Sequence, residues 1–249
     1  YLEPTYQTAY FGKMHFTTTG DSWDSLLAHF GFNHSFIFWD WVEEAKKSSA
    51  GRERLSEMRT FMSNKTWTGK FSNREMYYDD VITEKAMSYI QNCDQHDQPY
   101  FVMVGFHGPH PPYNTLYDPK QIDPPIKSIP NHENHQLSDL EWQKLKAQYY
   151  GSISLIDENI GKLMAVADDS VVIFTSDHGD ILGDHGLFSK GMYAYDGNSK
   201  VPMIFKIPGI KNKTYDGLVQ SIDIMPTILE IAGINKSIGI HGKSLLKSF

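Results

Sequence analysis

The sequence is poor in cysteine: Cys93, in QNCDQHDQ, is the only one in 249 residues. One thiol closes no internal disulfide, so the fold must rest on burial and hydrogen bonding. Long apolar runs are missing as well. No stretch approaches the roughly 18 apolar residues that a bilayer-crossing helix needs, which excludes an integral helical span. An excess of positive charge is also absent: 23 Lys and Arg stand against 30 Asp and Glu, for a net charge of −7. A protein held chiefly by nucleic-acid phosphates presents a basic face, so nucleic acid is excluded as the main partner. An anionic small substrate is not excluded, because a local basic pocket can sit on an acidic protein. There is no internal repeat, no low-complexity tract and no recognisable signal peptide.

What is present is ordinary for a globular chain, with 40% hydrophobic and 21% charged residues. YQTAYFGKMHF (6–16) reads as a short strand ending in Gly-Lys, and SWDSLLAHFGF as a helix closed by Gly31. Residues 39–75 are polar and aromatic without a strong period. They read as a surface insertion whose Trp39 and Trp41 could stack on sugar rings at a substrate rim. REMYYDDVITEKAMSYIQNC carries Val81, Ile82, Ala86, Met87 and Ile90 on one helical face. The run from Tyr100 to Phe106 predicts a strand buried on both faces, as in a parallel sheet. A proline-rich loop follows, then a long helix opened by the capping box Ser138–Glu141. DSVVIFTSDHG and SKVPMIFKIPG predict two more strands, and LVQSIDIMPTILEIAGI a last helix with Pro226 in its first turn. Strands alternating with helices predict an α/β fold with a mostly parallel central sheet flanked by helices. Ligands of such sheets bind beyond the carboxyl ends of the strands.

Ionisable residues crowd those ends: Lys13 and His15 after one strand, His107 and His110 after another, Asp177, His178 and Asp180 after a third. An adjacent carboxylate and imidazole can hold a hard divalent cation, and they can equally cap a turn; zinc would call for more His or Cys. Asp184 and His185, in the glycine-bounded LGDHGL, read as turn chemistry. Lys190 is a solvated surface lysine or a fixed cation for an anionic oxygen. His110, stiffened by neighbouring prolines, is an ordinary hydrogen-bonded histidine or a general acid. Four N-x-S/T sequons, at Asn33, Asn64, Asn212 and Asn235, point towards a secretory route, with unused sequons as the alternative.

Taken together, YQTAYFGKMHF, PYFVMVGFHGPHPPY, FTSDHGDILGDHGLFSKGMYAYDGNSKVPMIFKIPG, LVQSIDIMPTILEIAGI and HGKSLL resemble, in order, segments of the type I, formylglycine-dependent sulfatases of the alkaline phosphatase superfamily. The resemblance covers nearly the whole chain, and its SDHGDxLGxHGxxxK block is specific. It implies hydrolysis of a sulfate monoester, such as a sulfated sugar. Asp177 and His178 become two ligands of a divalent metal ion, calcium with magnesium as the alternative. Lys190 becomes a sulfate contact. Lys13 and His15 hold the nucleophile region, and His110 binds the ester or protonates the leaving oxygen. A secreted, lysosomal or periplasmic location follows from the same resemblance.

The chain also departs from the family. The C/S-x-P-x-R motif that supplies formylglycine is missing, and Cys93 lacks the neighbouring Pro and Arg, so it is assigned no catalytic role. Asp79-Asp80 falls in a predicted helix and not after an opening strand. Residues 1–249 are therefore expected to be a partial sulfatase domain without the nucleophile segment, the first strand and the C-terminal subdomain, and to turn over little by themselves. Two other readings stand beside this one: a phosphate or phosphonate ester hydrolase of the same superfamily, and a non-catalytic sulfated-glycan binding protein.

Overall fold

The computed structural model describes residues 2, 5–14, 23–64, 74–110, 117–124, 137–187, 189–234 and 239–248. Strand β1 (Gln7–Gly12) leads to helix α1 (Trp23–His29), and Gly31, at φ +84°, closes that helix as its position predicts. Strand β2 (His34–Ile37) runs straight into α2 (Phe38–Ala45), followed by α3 (Ser49–Asn64) and α4 (Tyr78–Gln95). Strand β3 (Tyr100–Gly105) completes a parallel sheet of order β2-β1-β3. Its register sets Gly12 opposite Gly105, so β1 and β3 end at the same edge.

The central position of β1 explains its burial. Thr8 to Phe11 are all shut from solvent, and Phe11 packs with Trp41, Ile82 and Ala86. On α4, Ile82, Ala86 and Ile90 recur every fourth residue and all face inward, the stripe that its sequence predicts. Burial of each such isoleucine is worth roughly 1.5–3 kcal/mol.

Helix α5 (Asp139–Val166) starts at the predicted box: Ser138 N donates to Glu141 Oε2 at 2.7 Å, and Glu141 N donates to Ser138 Oγ at 3.4 Å. Two expectations need correction. The described part of the 39–75 stretch is largely helical, and Trp41 is a core residue with no exposure, its Nε1–H bonded to Met76 O at 3.1 Å. It cannot stack on a sugar, whereas Trp39 is exposed. Strand β3 is not buried on both faces among the described residues, since Met103 is about half exposed at 49%.

Strand β4 (Val172–Thr175), the short helix α6 (Asp196–Ser199), strand β5 (Met203–Lys206) and helix α7 (Ile224–Ile231) follow. β4 and β5 pair antiparallel in a second sheet, while β1, β2 and β3 are parallel, so the described strands do not form one continuous sheet. Tyr100 Oη and Ser170 Oγ, 2.5 Å apart, tie the start of β3 to the approach of β4.

Candidate active site

At the end of β1 the chain makes a close approach that only glycine permits. Gly12 has φ +118°, and a Cβ there would lie 2.1 Å from Gly105 O. Lys13 N then donates to Gly105 O at 2.8 Å, and Tyr10 Oη donates to Lys13 O at 2.5 Å. The backbone of Lys13 is thereby fixed where its ammonium reaches the fields of Lys190, Asp177 and Asp79. Burial lowers its pKa, and repulsion from Lys190 lowers it further, against the two carboxylates. The Tyr10 hydroxyl is pushed up to about 12, first by burial and then by Asp177. Residues from the ends of β1 and β4 thus share one electrostatic neighbourhood although their strands belong to different sheets. His15 lies outside the described residues.

Beyond β3, His107 and His110 form a turn. His110 N donates to His107 O at 3.2 Å, and the two rings lie 4.9 Å apart. That turn rests on Asp79 of α4, a carboxylate with no solvent exposure. Its Oδ1 accepts from His107 N at 2.7 Å and its Oδ2 from Gly108 N at 3.0 Å. Burial raises its pKa to about 6, against the two amide donors that favour the anion. Asp80, next to it, accepts from Arg74 at 2.6 and 2.8 Å and from Asn159 Nδ2 at 2.7 Å. Sequence reasoning places this acidic pair in a helix and gives it no task. Acidic residues at a helix start are ordinary, because the macrodipole favours them, so their pattern carries no distinguishing signal.

After β4, Ser176 Oγ donates to His178 O at 2.8 Å and His178 N to Asp177 Oδ1 at 2.9 Å. His178 Nδ1 is 2.8 Å from Gly179 O, so its proton sits there and the lone pair falls on Nε2. That Nε2 is 3.6 Å from Asp177 Oδ2, a spacing suited to two ligands meeting one cation at roughly 2.3–2.6 Å and near right angles. Asp177 and His178 are thus spaced so that they could supply two donors to one cation. A hard divalent cation takes six or more donors, and no group of three or more acidic, His or Cys ligands occurs among the described residues.

The glycine-bounded loop behaves as turn chemistry. Gly183 takes φ +92°, Gly183 N donates to Leu187 O at 2.8 Å, and Ile181 N donates to Ser189 O at 3.1 Å. Asp180 accepts from Leu182 N at 2.9 Å, and burial raises its pKa. The loop delivers Lys190 to the surface. Beside it His185 stacks on Tyr195 at 4.1 Å, and Asn198 Nδ2 donates to Gly191 O and Tyr193 O at 3.0 and 2.9 Å. This role of Asn198 has no sequence signal. Cys93 is buried, and burial raises its thiol pKa.

Comparison with known proteins places this geometry. The Sulfatase family profile matches residues 3–234. Choline-sulfatase of Rhizobium meliloti (strain 1021) is 26% identical over 272 residues, covering 92% of this chain and 51% of that protein. The multifunctional alkaline phosphatase superfamily protein PehA of Trinickia caryophylli is 31% identical over 208 residues, covering 66% and 40%. The chain thus spans about half or less of the length of these relatives. Among solved structures, a phosphonate monoester hydrolase from Silicibacter pomeroyi superposes with a TM-score of 0.70 at 20% identity, over 97% of this chain and 58% of that one. The fold is accordingly the alkaline phosphatase-like α/β fold expected from the sequence.

Proposed function

The chain belongs to the sulfatase family, and from that premise we propose that its protein hydrolyses a sulfate monoester, releasing sulfate and an alcohol. The observation that carries this reading is the half-buried Lys13 ammonium, whose charge is disfavoured by burial and then by the nearby Lys190 ammonium. Like charges held together on two separate, well-fixed loops form a receptor for an anion, and a bound sulfate would relieve their repulsion.

In this reading the two lysines meet the non-bridging sulfate oxygens as charge shifts towards the leaving oxygen. His110 donates a proton to that oxygen. His15, two residues beyond Lys13, orients the nucleophile region. Asp177 and His178 would hold a divalent cation, calcium in preference to magnesium, which when bound supplies positive charge to a sulfate oxygen. A formylglycine from a C/S-x-P-x-R segment, which these 249 residues do not contain, would supply the nucleophile as a hydroxyl of its hydrate. A sulfated carbohydrate is the proposed substrate. Tyr193, 41% exposed and three residues beyond Lys190 in the sequence, offers a ring face to a sugar. A secreted, lysosomal or periplasmic site of action accords with exposed Asn33 and Asn212 in sequons.

The test is steady-state kinetics of the protein at its natural length on 4-nitrophenyl sulfate and a sulfated monosaccharide, beside 4-nitrophenyl phosphate and a phenylphosphonate ester. Sulfate esters should be preferred, and Lys190→Ala should lower kcat/KM by roughly 10²–10³-fold. A preference for the phosphorus esters would favour the second reading, phosphoryl or phosphonate hydrolysis, the class to which a structural neighbour of the same fold belongs. Tight binding of sulfated glycans without turnover would favour a binding protein.

A further inference from the structure

We infer that Asp79 is a positioning residue for His110: buried beneath the active edge, it fixes the His107–His110 turn and so sets where the proton donor stands. This rests on the role proposed above for His110.

Four observations converge. The Asp79 carboxylate has no exposure, and its two oxygens take the amide protons of consecutive residues, His107 and Gly108, at 2.7 and 3.0 Å. Hydrogen bonds to an ionised acceptor are short and strong, and a two-point contact fixes direction as well as distance. Next, the turn is pressed onto its support. A Cβ on Gly108 would lie 3.0 Å from Asp79 Oδ2 and 2.9 Å from Ile156 Cδ1, so any side chain there would push on the carboxylate and on α5 where the loop seats. The same turn hands the constraint on to His110, whose N–H is bonded to His107 O and whose ring lies 4.9 Å from that of His107. Finally, Asp79 is itself immobilised. Thr83 Oγ1 donates to Asp79 O at 2.6 Å, and neighbouring Asp80 is locked by Arg74 and by Asn159 of α5. Two packed helices therefore hold one carboxylate, that carboxylate holds two amides, and the amides hold the turn that carries the histidine.

A carboxylate that only satisfied buried amides would support stability and nothing else. The two roles separate in the dependence of rate on leaving group. A general acid matters most for a poor leaving group, so its loss should slow phenyl sulfate more than 4-nitrophenyl sulfate. In the protein at its natural length, His110→Ala should show that selective loss, and Asp79→Asn should reproduce it, with at least about a tenfold greater drop on phenyl sulfate. Because both act through one ring, the double variant should fall within about threefold of His110→Ala alone. Gly108→Ala, which presses the same contact from the other side, should give the same signature and serves if Asp79→Asn does not fold. Equal losses on both substrates from the folded variants, or losses that multiply in full with His110→Ala, would overturn the inference. If His110→Ala shows no leaving-group selectivity, the reading of His110 fails first, and the inference falls with it.

Discussion

Replacement of Asp79 by Asn should change not only how stable the protein is but how its stability varies with pH. The carboxyl group titrates at about 6 in the fold against an ordinary value of 3.8. Between these values the folded state holds a proton that the unfolded chain has released. Stability from this group is therefore complete below about pH 4 and is lost as the pH climbs through 6. A shift of about two units corresponds to about 3 kcal/mol. The groups that face the carboxyl set the balance: the amides of His107 and Gly108 and the Lys13 ammonium favour the anion, while burial and Asp80 oppose it, burial most of all. Asparagine does not titrate, and it can accept from only one of the two amides, so the variant carries a penalty at every pH. Its deficit relative to the wild type should be greatest near pH 4 and should shrink by up to about 3 kcal/mol by pH 7. For a chain of this length that equals roughly 6–12 °C in the difference between the two melting temperatures. Thermal unfolding of both proteins at half-unit steps from pH 4 to 7.5 reads it directly. Parallel curves would show that Asp79 does not titrate in this window and would refute the assigned burial cost.

Other substitutions probe the corrected parts of the fold. Trp41→Ala should cost about 3–5 kcal/mol in urea unfolding, because it empties a core position and leaves Met76 O without its donor. Trp39→Ala, on an exposed face, should stay within about 0.5 kcal/mol in stability; a raised KM for a sugar sulfate would support the stacking role expected at that position, and an unchanged KM would end it. Ser138→Ala should cost about 1 kcal/mol through loss of the α5 cap, with kcat/KM unaltered.

Periodicity makes α4 and α5 legible, because apolar residues on one face and a capping box are local signals that burial reinforces. The strand ends are legible for a similar reason: an apolar run stops and charge begins, which marks Lys13, His110, Asp177 and His178 as candidates, whereas Lys190 and the roles of all five come from the family resemblance. The environment of α2 and α3 is not legible. Trp41 and Trp39 differ by two positions in one polar, aromatic stretch, yet one lies in the core and the other in water. That outcome is set by contact with α4, far away in sequence. Asp79 escapes notice for the same reason, since its partners lie 28 and 29 residues downstream. The antiparallel pairing of β4 with β5 is also unreadable, because an apolar run gives no strand direction.

The anchoring of Arg74 bears on how this protein can change over evolution. Its guanidinium is bonded to Asp80 and to Glu158, so the chain is clamped just before α4 begins. A residue inserted or removed between Arg74 and Asp79 would shift the Asp79 carboxylate relative to that clamp, and so relative to the two amides of the turn that carries His110. Homologues should therefore hold the spacing of these two residues constant.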